Sequence, residues 1–127
     1  MLTRAQQKAV KHIIKRVVGA ITGDIYTSDK QYPIFPCDVS LRTLRALDDK
    51  GLITIQNEHE IAGSKYRAIT IEPKFWQDEY TKQYVQTSID YAETQFNWLT
   101  KHFNADLRTA FAKEREAYLF VKYEISK

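Results

Sequence analysis

Apolar residues recur at helical spacing from the start of the chain: Ala5, Ala9, Val10, Ile13, Ile14, Val17 and Val18. Such a stripe predicts an amphipathic helix from Thr3 to about Val18, with Gly19 and Gly23 punctuating its end. Asp24-Ile25-Tyr26-Thr27 fits a short first strand. A second helical pattern covers residues 38–50, where Leu41, Leu44 and Leu47 turn to one side and Arg42, Arg45 and Asp49 point elsewhere. Asp38 and Ser40 both suit its N-terminus, because their side-chain oxygens accept from free N–H groups of a first turn. Gly51 suits its end, where a left-handed residue closes a helix. Beyond the glycine the period changes from helical to alternating. Leu52, Ile53 and Ile55 lead into one strand, while Tyr66, Ala68 and Thr70 oppose Ile69 and Ile71 as the two faces of another. Asn57 to Lys65 is then a polar, glycine-containing connection.

Pro73 ends the second strand, and Lys74-Phe75-Trp76 opens another helical region. No Gly or Pro occurs from Asp78 to about Asn104, and Val85, Ile89, Ala92, Phe96, Leu99 and Phe103 fall at 4-3-4-3-4 spacing. That seam, roughly 27 Å long at about 1.5 Å per residue, predicts lengthwise helix packing. A twofold between two copies is the preferred arrangement, with intramolecular packing on the last segment as its alternative. Tyr80, Tyr84, Tyr91, Phe96, Trp98 and Phe103 belong by spacing to core or interface rather than to a base-stacking platform. Leu107 to Ala117 has helix formers, whereas residues 118–125 are β-branched and aromatic enough for either helix or strand. In a helix, Leu107, Phe111, Tyr118, Val121 and Ile125 share one side.

Leu44-Arg45-Ala46-Leu47-Asp48-Asp49-Lys50-Gly51-Leu52-Ile53, followed by Ser64-Lys65-Tyr66-Arg67-Ala68-Ile69-Thr70, resembles the recognition helix and returning wing strand of the winged-helix superfamily. The resemblance covers about residues 3–73. It implies an α+β fold, a winged helix over residues 1–76, which the helical pattern of residues 77–127 continues as a C-terminal helical extension, expected from its seam to serve dimerisation. The chain departs from the family's pattern at residues 28–36. There Pro33 and Pro36 allow one helical turn at most, and Ile34 and Phe35 are expected to plug the space of the absent second helix.

Composition sharpens this picture where charge is located. The formal charge of the 127 residues is +3, but residues 1–76 hold twelve Lys/Arg against eight Asp/Glu and residues 77–127 seven against eight. The positive excess therefore sits in the winged-helix part. Arg4, Lys8, Lys11, Lys15 and Arg16 line the polar side of the first helix with no acidic residue before Asp24, which reads either as a solvated face or as one that tracks phosphates. The single cysteine, Cys37, excludes an intramolecular disulfide, and its position beside Pro36 predicts a buried structural thiol. Early charges argue against a signal peptide, and no apolar run approaches the length of a membrane span, so the expected location is the cytoplasm.

Little points to catalysis. His12, His59 and His102 are scattered, Glu58-His59-Glu60 reads as solvated charge on a hairpin, and Gly63-Ser64-Lys65 lacks the flanks of a phosphate loop. No enzymatic activity, metal or cofactor is expected. For a nucleic-acid binder, Lys8, Lys11, Lys15 and Lys30 would meet phosphates, Arg42 and Arg45 with Ser40 or Thr43 would meet base edges, and Lys65 and Arg67 would reach the minor groove or flanking backbone. The expected function is sequence-specific binding of double-stranded DNA by a small homodimeric transcription regulator or a replication, partition or transfer accessory factor of a mobile element. The alternative is a protein-interaction module of the same fold that docks a partner through Ile34, Phe35, Leu41 and the aromatic C-terminal helix.

Overall fold

Ser40 caps the helix predicted after Asp38. In the computed structural model, which describes residues 1–22, 31–61, 64–102 and 105–127, its hydroxyl accepts from the Thr43 N–H at 3.2 Å and opens α2 (Leu41–Asp49). The helix ends as its sequence requires. Gly51 takes φ 76°, its N–H donates to Asp48 O at 2.8 Å, and the Leu52 N–H reaches back to Leu47 O at 3.1 Å. These two reversed bonds form a Schellman closure, which turns the chain directly into a strand.

Among the described residues the elements run α1 (Arg4–Thr22), β1 (Gln31–Ile34), α2, β2 (Ile53–Ile61), β3 (Ser64–Ile71), α3 (Pro73–Gln77), α4 (Glu79–His102) and α5 (Ala105–Ser126). This is a mixed α+β arrangement of five helices around a small antiparallel sheet of order β1-β3-β2. The first helix passes Gly19 and continues to Thr22, beyond the expected end at Val18. A glycine costs a helix only about 1 kcal/mol, and the packing of Val17 and Val18 on the core outweighs it. The strand found before α2 is Gln31–Ile34; the expected Asp24–Thr27 strand lies outside the described residues. Pro33 is tolerated because β1 is an edge strand, with one side free of ladder bonds.

One turn fills the place of a second helix, with Asp38 and Val39 N–H groups both donating to Phe35 O at 3.0 and 3.2 Å. Ile34 is fully buried and Phe35 half-buried, so Ile34 belongs to the core rather than to a docking surface. Cys37 corrects an expectation: it is exposed, because it sits in a turn whose three residues, Pro36, Cys37 and Asp38, are all exposed while Ile34 and Val39 on either side supply the core.

The ribbon is longer than its hydrophobic pattern indicated, reaching Ile61 and restarting at Ser64. Its register sets Glu58 against Arg67 and Glu60 against Lys65, opposite charges at facing positions that favour pairing of a polar sequence. A bulge between Ile55 and Glu58 shifts the register by one residue. Asp48 accepts from the Ile55 N–H at 3.0 Å, occupying an outward donor of the edge strand and tying the end of α2 to the ribbon.

Residues 118–125, open between helix and strand, are helical in α5. Ala117 and Val121 are buried there, with Tyr118 and Ile125 packed beside them; the side chains of Leu107 and Phe111 lie outside the described residues. This helix packs along α4 and touches α1. Accordingly Val85 and Ile89, expected at a seam between two copies, are buried at 1% and 2% exposure in the chain's own core. Ala92 and Phe96 are half-buried, with the Arg115 guanidinium 4.9 Å from the Phe96 ring. The Leu99 side chain and Phe103 lie outside the described residues. The core thus runs from Val10 and Ile13 through Leu44, Leu47 and Ile69 to Phe75, Ile89 and Val121, crossing the boundary expected at residue 76. No helix among the described residues is long and apolar enough to cross a membrane.

Candidate nucleic-acid interface

The opening helix presents its cations as a row. At about 100° per residue, Arg4, Lys8, Lys11 and Lys15 fall within roughly 60° of arc, and all four are exposed. Lys11 stands over the Tyr84 ring of α4, its Nζ 5.6 Å from the centroid, which marks where the row borders α4. A cation on an aromatic face is partly held in place while its remaining donors stay in water. Repulsion along the row costs a few tenths of a kcal/mol per pair, a cost that a polyanion would relieve.

Arg16 is not part of that row. Its Nη2 lies 3.2 Å from Asp38 Oδ2, its Nε donates to His12 Nε2 at 3.2 Å, and its guanidinium carbon sits 5.4 Å from the centre of the Phe35 ring. Phe35 in turn meets Tyr66 of β3 at 5.9 Å between centroids. One turn therefore links the first helix to the ribbon, and Asp38 supplies the counterion that no nearby sequence position offered. His12 Nε2 lies 3.4 Å from Asp38 Oδ2. Burial lowers the pKa of His12 below 6.5, assisted by Arg16 and Lys15, and the attraction of Asp38 only partly opposes this.

On α2, Arg42 and Arg45 are exposed and form no hydrogen bond or ion pair with the described residues. Spacing of three places them on one face, and Asp49 follows four residues later on the same face. Ser40 and Thr43 are committed to the cap, their hydroxyls 3.0 Å apart. On β3, Lys65 is exposed and Arg67 half-buried, and both already engage other groups. Lys30 lies outside the described residues.

Asp38 and Tyr84 were missed as contributors from sequence alone, since each acts through a partner distant in the chain, and Phe35 was expected as a plug or docking residue rather than as a partner of Arg16. The only local signal was an aromatic residue set between Pro33 and Pro36. None of the expected site residues lines the groove of about 400 Å³ formed by Tyr32, Ile71, Trp76, Phe120 and Glu124. Burial there raises the Tyr32 pKa, with Glu124 adding to the effect. Among the described residues, no group of three His, Cys, Asp or Glu side chains is placed to hold a metal ion. Comparison of the chain with protein-family models, with curated proteins and with solved structures found no match.

Proposed function

We propose that this chain is a winged-helix protein that binds double-stranded DNA in a sequence-specific manner, as a small regulator or as an accessory factor of a mobile element. The observation that carries the reading is the pairing of two separate cationic features: the exposed row on α1 and the two arginines on α2. Their chemistry divides as recognition requires. Lysines on a helix flank neutralise phosphates without regard to sequence, whereas an arginine fork can take O6 and N7 of one guanine together. The order helix, strand, capped helix, glycine, ribbon, with sheet order β1-β3-β2, supports the winged-helix assignment. With that fold, α2 enters the major groove through the face bearing Arg42 and Arg45, and the ribbon bearing Lys65 and Arg67 lies against flanking backbone. Asp49 at the far end of the same face limits how deeply α2 can insert.

The test is selection from a random duplex pool followed by titration of the selected site at a series of salt concentrations. Neutralisation of about five phosphates per protomer gives a log–log salt slope of about −4.5 per protomer, or about −9 for a dimer. A slope near zero, or no duplex bound at low salt, would remove the reading.

A further inference from the structure

On the last helix Phe120 and Glu124, one helical turn apart, share a side. With Lys127 they close the groove of about 400 Å³ against Tyr32 of β1, Ile71 of β3 and Trp76 of α3. Its lining is mainly apolar, with a few polar groups, which is the make-up of sites that take small molecules. The buried Trp76 stands edge-on to Phe75, with centroids 4.9 Å apart and planes at 90°, so core packing fixes its indole. Tyr32 is half-buried and Phe120 exposed, and both keep ring surface open to an incoming group.

Glu124 gives the groove its sign. Its side chain is only 17% exposed, and its one ion-pair partner among the described residues is Lys127, whose Nζ lies 3.2 Å from Oε1 on a side chain that is 53% exposed. Neither Glu124 Oε2 nor the Tyr32 hydroxyl has a hydrogen-bond partner among the described residues. A carboxylate so far withdrawn from water, and matched by one loosely held ammonium, gains from a further cation. The chain's own cation shows what this end of the groove accepts, since Lys127 Nζ also stands 4.9 Å from the centre of the Tyr123 ring. Ring faces beside a carboxylate are the combination that holds alkylammonium groups.

We propose that this groove is a binding site for a small organic cation, an alkylated or quaternary ammonium on an apolar body, with Glu124 setting the charge and Trp76 and Phe120 receiving the body. An anion would enter against the Glu124 carboxylate. A bare metal ion would find a single carboxylate there, since no three ligating side chains gather among the described residues. Burial, and after it the charge of Glu124, raises the Tyr32 pKa, so the phenol stays neutral and offers its ring and its oxygen to the same cation. No lining residue belongs to the cationic row of α1 or to the arginines of α2, so the site stands whether or not the chain binds DNA.

Isothermal titration calorimetry of the full chain with benzyltrimethylammonium tests the site. The dissociation constant is expected below about 1 mM, with benzyl alcohol and phenylacetate, a neutral and an anionic counterpart, at least about 10-fold weaker. Glu124→Gln keeps the shape and removes the charge, and is expected to weaken binding at least about 10-fold at unchanged circular dichroism. Phe120→Ala, at an exposed position, is expected to weaken it as well, which places the probe in the groove. Lys127→Gln removes the competing ammonium and is expected to bind the probe at least as tightly as the parent chain. No binding at about 10 mM, equal affinity for phenylacetate or benzyl alcohol, indifference to Glu124→Gln or to Phe120→Ala, or weaker binding by Lys127→Gln would each overturn the proposal.

Discussion

Gly51 holds φ at 76°, yet a Cβ built there would meet only Lys74 Cδ, at 3.8 Å. The obstacle to a side chain is therefore conformational rather than steric. Gly51→Ala is expected to cost about 1 kcal/mol, read as a lower urea midpoint at unchanged slope. His12 offers a second test at this scale. Because the folded chain holds its proton less tightly than the unfolded chain, the unfolded state binds more protons below pH 6.5. The stabilising contribution is complete above 6.5 and is lost as pH falls from there through the lower folded value. Urea midpoints measured between about pH 7.5 and about pH 5 should decline, and His12→Gln should flatten that decline. An equal decline in the variant would place the sensitivity elsewhere.

Among the elements, the first helix and α2 have different tasks under the proposed function, and single substitutions separate them. Lys11→Ala should weaken binding to all duplexes alike and reduce the salt slope by about 1, whereas Arg45→Ala should flatten base preference at one position by about 1–3 kcal/mol. Competition binding against single-base variants of a selected site distinguishes the two; an even loss for Arg45→Ala would reverse the assigned roles. The ribbon shows how an element gains length from its partner. Residues 57–61 read as a loop when only hydrophobicity is counted, yet their backbone pairs with β3 once the bulge resets the register. Cys37 went the other way, since nothing in the adjoining Pro36 indicates that the turn faces outward.

For the whole molecule, the decisive feature is that one core spans both ends of the chain. Val121 is fully buried in the same cluster as Val10, Leu44 and Ile89. Val121→Ala removes two methyl equivalents and leaves a cavity, a loss of about 2 kcal/mol. Because Val121 belongs to one buried cluster with residues of α1 and α4, tryptophan fluorescence and far-ultraviolet circular dichroism should shift together in one transition. Separate transitions would mean that the last two helices unfold on their own.

Sequence by itself determined what depends on neighbours within a few residues. The cap at Ser40, the left-handed Gly51, the apolar stripe of α1, the helical nature of residues 79–102 and the proline-broken segment before α2 all follow from local sterics and the 3.6-residue period. It also showed the cationic row, since lysines spaced three and four apart on a helix cannot be turned to different sides. Tertiary structure decided everything that depends on which faces meet. It assigned Val85 and Ile89 to the chain's own core, gave Arg16 its counterion in Asp38, and drew residues 118–125 into a helix. The physical reason is that periodicity specifies a face to be buried but not the partner that buries it. Charge along the chain likewise specifies a field, whereas its neutralisation depends on groups brought within a few ångströms only by folding.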